Sequence, residues 1–492
     1  MKIHELISDQ SLEGISRKLQ EAEVKRLDRI PEKAQSGSLF FDLNSLSENR
    51  NTKISAIKKA NPLAIVTACA DLESLDIPII HIDNPRRAYA EAYSAFCNID
   101  YSRLCIIGVT GTNGKTSTAT ILKSIFDSVS IKTGFIGTGK IISVNKLLND
   151  VNYSMTSPDP EILYPAIKSI ENDGCEIIVM EVSSHSLALE KVFPIPFEVA
   201  IFTGLSMEHL DFHGTMERYF KEKEKLIERS KYSIINCDDD WGKILYKKYK
   251  DKAESVGIIS HADKRAIQIE SHGLYGSSYV LKSNNYLTSI NVKLPGVHNV
   301  YNSMFAFAAA ARIGIKPCDI KKTISEINTI DGRCELISSD ITVIVDYAHT
   351  PFALENLLNT VYSDIIPGQT VTIVFGCGGE RDREKRPEMA RIAEKYCSKI
   401  IVTNDNPRSE DETQIINDII RGFSKTCYGV IRDRKTAITY AVTHAATGDY
   451  VVIAGKGHER YQLDKAGYHS FNEKEIIRDA IKIREAKKNI ES

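Results

Sequence analysis

No C-x-x-C pair occurs among the ten cysteines of this 492-residue chain, and Cys69, Cys105, Cys237 and Cys377 lie far apart. That scatter argues against a zinc ribbon or a disulfide framework. An excess of one charge is missing too. Net charge is −2 with 26% of residues charged, so nothing advertises nucleic acid and nothing advertises acidic disorder. No run approaches the roughly 18 to 20 apolar residues of a membrane span, and Met1-Lys2-Ile3-His4-Glu5 does not open a secretory signal. Fixed-period repeats and low-complexity tracts are also lacking. The expectation is a cytoplasmic monomer whose partners are small molecules, with no nucleic acid and no membrane insertion.

What is present is apolar material for several cores, 42% of the chain, enough for about three domains of ordinary size. Short β-branched runs alternate with helical patterns: Leu104 to Val109, Ile177 to Met180, Val199 to Phe202, Val343 to Val345, Val371 to Phe375, Ile400 to Thr403 and Tyr450 to Ile453. Such alternation predicts an α/β fold with parallel sheets. Between the runs, Leu354, Leu357, Leu358 and Val361 keep helical spacing, as do Ile476, Ile477, Ala480 and Ile481. Residues 271 to 292 alternate like strands and predict a local antiparallel excursion. Turn-rich stretches near Cys97–Ser102 and Thr329–Cys334 mark the borders of three blocks.

Leu104 to Val109 leads into Thr110-Gly111-Thr112-Asn113-Gly114-Lys115-Thr116, and a helical pattern begins at Ser117. Strand, glycine loop and helix turn backbone amides toward phosphate, with the lysine on the β/γ-phosphates and the Thr116 hydroxyl on Mg²⁺. The pattern is a variant, because Val109 stands where the first glycine of the strict motif belongs.

Glu181 ends the run Ile177 to Met180 and is followed by Val182-Ser183-Ser184-His185. That places a carboxylate and hydroxyls at a strand's carboxyl end, where doubly wound sheets bind ligands. After Val199 to Phe202 comes Thr203-Gly204-Leu205-Ser206-Met207-Glu208-His209-Leu210-Asp211-Phe212-His213-Gly214, a metal site or a polar loop by composition alone. Lys221, Lys223 and Lys225 alternate with Glu222 and Glu224, and composition selects none of the three lysines.

TGTNGKT at 110–116, EVSSH at 181–185, HLDFHG at 209–214, GVHNVYN at 296–302, DGR at 331–333, DYAHTP at 346–351, GCGGERD at 376–382, DNPR at 405–408 and AGKGHE at 454–459 occur in an order that resembles the Mur ligase family over roughly residues 100 to 460. The resemblance implies a three-domain architecture: an N-terminal UDP-sugar domain over 1–98, a central P-loop ATPase domain over 99–334 and a Rossmann-like amino-acid domain over 335–492. It implies an ATP- and Mg²⁺-dependent amide ligase of peptidoglycan precursor synthesis. Such an enzyme activates the D-glutamate carboxylate of UDP-N-acetylmuramoyl-L-alanyl-D-glutamate as an acyl phosphate and joins it to meso-diaminopimelate.

Carried over by position, Gly111, Thr112, Asn113, Gly114, Lys115, Thr116 and Ser117, with Asn299, Asn302, Arg333 and Asp346, match nucleotide-binding positions. Thr116, Glu181, His209 and Lys223 match the surroundings of the metal, and Lys115, Glu181, His209 and Lys223 the catalytic set, with Lys223 carried as a carbamate. Thr156, Ser157, Ser183 and Lys191 match contacts to the acceptor. Arg381, Asp405, Asn406, Arg408, Gly455 and Glu459 match those to meso-diaminopimelate, where the arginines can fork onto a carboxylate and Glu459 can pair with an ammonium.

Three departures qualify the resemblance. The block before residue 98 matches poorly, with only Leu27-Asp28-Arg29 near the family's D-S-R signature. Lys191 stands in place of an arginine, and Ser157 in place of a threonine. They leave as alternatives a different acceptor, such as a pseudomurein or secondary-metabolite peptide, or L-lysine as the added amino acid. DNPR also occurs twice, at 83–86 and 405–408, and the second copy has the expected strand before it.

Overall fold

The computed structural model describes residues 1–43, 50–69, 75–148, 155–284, 286–425 and 428–491. The chain forms two compact units, one of Met1–Gly108, Lys132–Leu148 and Met155–Glu198, the other of Val109–Ile131 and Val199–Ser492. No disulfide joins the cysteines among the described residues, and none of their helices is long and apolar enough to cross a membrane.

In the first unit four short strands, Arg26–Asp28, Ser38–Phe41, Ala64–Thr67 and Ile79–His81, pair in parallel in chain order. Side chains alternate across a strand. Leu39 and Phe41 therefore join one core with Ile3, Val66 and Tyr89, while Phe40 joins another with Ile57 and Ile65. Helix Pro85–Phe96 starts with Pro85 at its first position and the Asn84 side chain accepting from the Arg87 amide. The first copy of DNPR is thus a helix cap. A second set of strands in this unit runs in the order Ile177–Glu181, Thr133–Gly137, Lys140–Ser143, Lys146–Leu147. Every residue of Ile177–Glu181 is buried, as a strand covered on both faces requires.

The second unit carries two larger arrays. Phe197–Phe202, Tyr232–Asn236, Ala253–Gly257 and Lys264–Ser271 are successive parallel neighbours, and Ser277–Ser283 and Leu287–Val292 then add antiparallel. The excursion predicted over 271–292 is this antiparallel edge. The carboxyl-terminal sheet has the order Glu335–Ser338, Thr342–Asp346, Tyr450–Ala454, Val371–Phe375, Lys399–Val402, Tyr428–Val430. Only its first strand is antiparallel. Ile344, Ile373, Phe375 and Val452 face helices Pro351–Tyr362 and Lys385–Tyr396, whereas Val343, Val374 and Ile453 face Arg434–His444 and Glu473–Glu491. Helices on both faces of a parallel sheet are the expected Rossmann-like arrangement.

This topology has a consequence for the motifs. DYAHTP, GCGGERD, DNPR and AGKGHE each follow the carboxyl end of a neighbouring parallel strand. Four motifs spread over more than a hundred residues therefore share one edge of one sheet.

Candidate active site

The phosphate loop leaves strand Cys105–Thr110 and enters helix Lys115–Ser128. Its glycines are required by contact: a Cβ on Gly111 (φ 145°) would lie 1.9 Å from Thr203 Oγ1, and one on Gly114 (φ 84°) would lie 2.6 Å from Asn302 Oδ1. The Thr203 hydroxyl donates to Asn113 O at 2.6 Å, and the Thr112 amide donates to Gly204 O at 2.9 Å. Lys115 folds back over the loop, donating to Gly111 O at 3.0 Å and Thr112 O at 2.7 Å. Ser117 lies buried in the first turn of the helix. Gly114, as N-cap, offers no side chain to the first-turn amides, so an anion is their natural acceptor.

Around the loop, Asn302 donates to Asn299 Oδ1 at 2.9 Å and Asn299 donates to Pro295 O at 2.7 Å, both side chains being buried. Arg333 Nη2 donates to Thr116 Oγ1 at 3.0 Å across 217 residues of sequence. Its Nε is buried with no hydrogen-bond partner among the described residues, and its guanidinium lies 4.6 Å from the Tyr347 ring centre. Beside it, burial and the Arg333 charge push His298 down to about 4. Asp346 is engaged on both oxygens, by the Cys334 amide at 2.6 Å and the Ala348 amide at 2.7 Å. Burial raises its carboxyl, and it orders the turn that presents Arg333.

Lys223 is only 1% exposed on helix Met216–Arg229. Its Nζ donates to Gly111 O at 2.9 Å and lies 4.8 Å from the Tyr219 ring centre. Burial, reinforced by Lys115, drives its pKa well below the usual lysine range. His209, in left-handed conformation at φ 57°, approaches Glu208 at 3.7 Å, and His349 Nε2 meets the other Glu208 oxygen at 3.3 Å. Burial would raise the Glu208 carboxyl, but the His349 hydrogen bond and the neighbouring cations hold it far below the carboxylate range.

The residues expected to hold the amino acid form a second constellation in the same unit. Arg408, also left-handed at φ 55°, donates from Nη1 to Gly379 O at 2.8 Å. Arg381 is exposed and stands near Arg408: a Cβ built on Gly378 would lie 3.0 Å from Arg408 Nη1 and 3.8 Å from Arg381 Cγ. Asn406 donates to Glu459 Oε2 at 2.9 Å, and the Tyr347 hydroxyl reaches Glu459 Oε1 at 3.4 Å. Asp405 is half-buried; partial desolvation opposes its ionisation, but Lys456 and Arg434 lower its pKa. Gly455, at φ 121°, is needed because a Cβ there would meet Asp405 Oδ2 at 2.8 Å.

In the first unit, Glu181 is fully buried and accepts from the Thr138 amide at 3.0 Å and the Thr138 hydroxyl at 3.2 Å. Thr138 also reaches Thr156 Oγ1 at 3.2 Å. Ser157 donates to Glu181 O at 3.0 Å and accepts from the Ser183 amide at 3.0 Å. Lys191 pairs with Asp159 at 2.6 Å, whose other oxygen takes Arg29 Nη2 at 2.9 Å.

Thus Thr156, Ser157, Glu181 and Ser183 are brought together in one unit, and the glycine-loop, Lys223 and arginine sets in the other. Sequence reasoning singled out neither Thr138 nor Asp159, and it read Thr203 and Glu208 only as members of a loop of undecided role. Glu208 had a signal, its place next to His209, whereas Thr138 had none. Among the described residues no group of three or more His, Cys, Asp or Glu side chains forms a ready metal site.

Residues 109–310 match the Mur ligase middle domain, and residues 332–457 match the Mur ligase, glutamate ligase domain. The chain is 38% identical over 472 residues to the UDP-N-acetylmuramoyl-L-alanyl-D-glutamate--2,6-diaminopimelate ligase of Clostridium perfringens (strain 13 / Type A), covering 94% of this chain and 96% of that one. It is 37% identical over 490 residues to the ligase of the same name from Clostridioides difficile (strain 630), covering 98% and 99%. A solved structure of a UDP-N-acetylmuramoyl-L-alanyl-D-glutamate--2,6-diaminopimelate ligase superposes with a TM-score of 0.67 at 28% identity, covering 99% of each chain.

Proposed function

The chain belongs to the Mur ligase family of amide-forming ligases, and we propose that it adds meso-diaminopimelate to the D-glutamate carboxylate of UDP-N-acetylmuramoyl-L-alanyl-D-glutamate at the expense of ATP. The observation that carries the amino-acid assignment is that Arg381 and Arg408 both flank Gly378, in the unit that also holds Asn406 and Glu459. Two guanidiniums and a carboxylate suit an amino acid whose far end bears both a carboxylate and an ammonium group. L-Lysine lacks that carboxylate.

In this reading residues 1–98 receive the UDP-sugar, 99–334 the ATP and 335–492 the amino acid. The acceptor carboxylate attacks the γ-phosphorus, a carboxylate–phosphorus bond forms, and the bond to ADP breaks. The amine then attacks the acyl carbon, phosphate leaves, and the amine loses a proton. Lys115 and the amides of the loop from Gly111 to Ser117 would hold the phosphates as charge develops. Arg333, with its buried unsatisfied Nε, would take a nucleotide acceptor, while Asn299, Asn302 and Asp346 shape that side. Thr156, Ser157, Ser183 and Lys191 would meet the acceptor peptide. Nucleotide-linked substrates place the reaction in the cytoplasm.

Mg²⁺ would neutralise phosphate charge. The unmodified Lys223 is a poor ligand for it, because an ammonium offers no lone pair and a neutral amine nitrogen is not the oxygen donor that Mg²⁺ takes. Addition of the amine nitrogen to CO₂, with loss of a proton to solvent, makes Lys223 a carbamate. The set Thr116, His209 and Lys223 then contains an anion. The buried, cation-flanked amine supports this assignment.

The test is phosphate release by the purified protein with ATP, Mg²⁺ and UDP-N-acetylmuramoyl-L-alanyl-D-glutamate, plus meso-diaminopimelate, L-lysine or no amino acid. Phosphate and a new amide with meso-diaminopimelate alone are expected. Equal turnover with L-lysine would overturn the amino-acid assignment and leave the ligase. Silence with every amino acid would move the doubt to the acceptor and to residues 1–98.

A further inference from the structure

Lys456 is 0% exposed, at the turn that follows strand Tyr450–Ala454. Burying an ammonium is costly unless acceptors surround it. Three do: Asn406 Oδ1 at 2.6 Å, Tyr461 O at 2.9 Å and Glu459 Oε2 at 3.5 Å. The flanking glycines let the side chain turn inward, since both have positive φ (121° and 54°), and a Cβ on Gly457 would lie 2.6 Å from Gly332 O.

The shortest of these bonds decides how an amide points. Asn406 Oδ1 receives Lys456 and also the Leu463 amide at 2.9 Å. With two donors on the oxygen, the amide nitrogen must face the other way, and there it donates to Glu459 Oε2. A flipped Asn406 would set an NH₂ group against an ammonium and an N–H, and its oxygen against the Glu459 carboxylate. Lys456 thus acts on Glu459 twice, directly by charge and indirectly by holding Asn406 in register. The hairpin Tyr461–Asp464 and Gly467–Ser470 is tied to the same loop, because the Arg408 amide donates to Leu463 O at 3.1 Å.

We infer that Lys456 is a positioning residue for amino-acid selection, setting Asn406 and Glu459 in the one orientation that reads the ammonium end of the incoming diamino acid. The inference rests on the proposed placement of that amino acid beside Glu459. It is independent of the phosphate and metal chemistry.

The experiment uses the full-length protein and its variants Lys456→Met, Glu459→Gln, the double variant and Asn406→Asp, each assayed for KM toward meso-diaminopimelate, ATP and the UDP-linked acceptor, and for Tm. Lys456→Met is expected to raise KM for meso-diaminopimelate about tenfold or more, leaving the other two KM values within about twofold. The double variant should be no worse than Glu459→Gln, because both changes act through one carboxylate. Asn406→Asp, which keeps the acceptors for Lys456 but loses the donor to Glu459, should reproduce the selective rise even if Lys456→Met fails to fold. A uniform change in all three KM values together with a fall in Tm would overturn the inference and leave a merely structural lysine. So would a selective effect of Glu459→Gln that Lys456→Met and Asn406→Asp do not share. An unaltered KM in Glu459→Gln would instead overturn the placement of the amino acid itself.

Discussion

At the residue scale the phosphate loop and Lys223 bring two amines to one carbonyl in a place where Lys223 is buried. Lys115 and Lys223 both donate to the Gly111 carbonyl, at 3.0 Å and 2.9 Å, so two amines converge on one oxygen. Their repulsion adds to burial in pushing Lys223 toward its neutral form. Carbon dioxide needs that form, because the unprotonated nitrogen is the nucleophile. With ¹³C-bicarbonate, the wild-type protein should show a carbamate resonance that Lys223→Arg lacks, and the variant's phosphate release should fall at least about a hundredfold. A wild-type protein with no such resonance, or an arginine variant of full activity, would remove the carbamate from the mechanism. Arg408 shows a different constraint. Its left-handed backbone is uncommon for a side chain of this size and is held by the Leu463 carbonyl.

At the scale of elements, the strands of the second unit are joined by carboxylates that replace missing backbone partners. Asp238 follows strand Tyr232–Asn236 and accepts from the Ile258 amide at 2.5 Å, the Ile259 amide at 3.0 Å, the Ser260 amide at 2.6 Å and the Tyr301 hydroxyl of helix Val297–Arg312 at 2.6 Å. Burial alone would raise its carboxyl, but these four donors outweigh it and hold the pKa at about 2. Because the folded value lies below the unfolded value of about 3.9, this stabilisation is complete above that pH and is lost as pH falls toward 2. Asp238→Asn should lower stability at neutral pH by about 2 kcal/mol. The gap between variant and wild type should narrow below about pH 4 in denaturant unfolding. A gap independent of pH would show that the charge is not what the donors require.

At the scale of the whole molecule, the second unit links residues far apart in sequence around the glycine loop, through Arg333 to Thr116 and His349 to Glu208. A ligand bound only by the folded state at about a hundred times its Kd adds about 2.7 kcal/mol of stability. ADP should therefore raise the Tm of the wild-type protein, and Arg333→Met should keep its unliganded Tm while losing most of that rise. An undiminished rise would remove Arg333 from the nucleotide site. Much of this architecture was legible beforehand. The seven apolar runs all became strands, since continuous β-branched burial has few other outcomes, and the glycine loop could be read because Gly111 and Gly114 have no tolerable substitute. Thr138 could not be read, because its value lies in meeting Glu181, 43 residues away. Nor could the two DNPR copies be told apart by their letters: one caps a helix through Asn84, and the other aims Asn406 at Glu459. The sequence alone determined the family, the α/β class and the positions of the motifs, because periodicity and glycine geometry are local. Which side chains meet, that Lys456 lies buried under Asn406 and that Arg381 stands beside Arg408 were decided only by the tertiary structure, because strand order and sheet edge bring together residues that no spacing along the chain can pair.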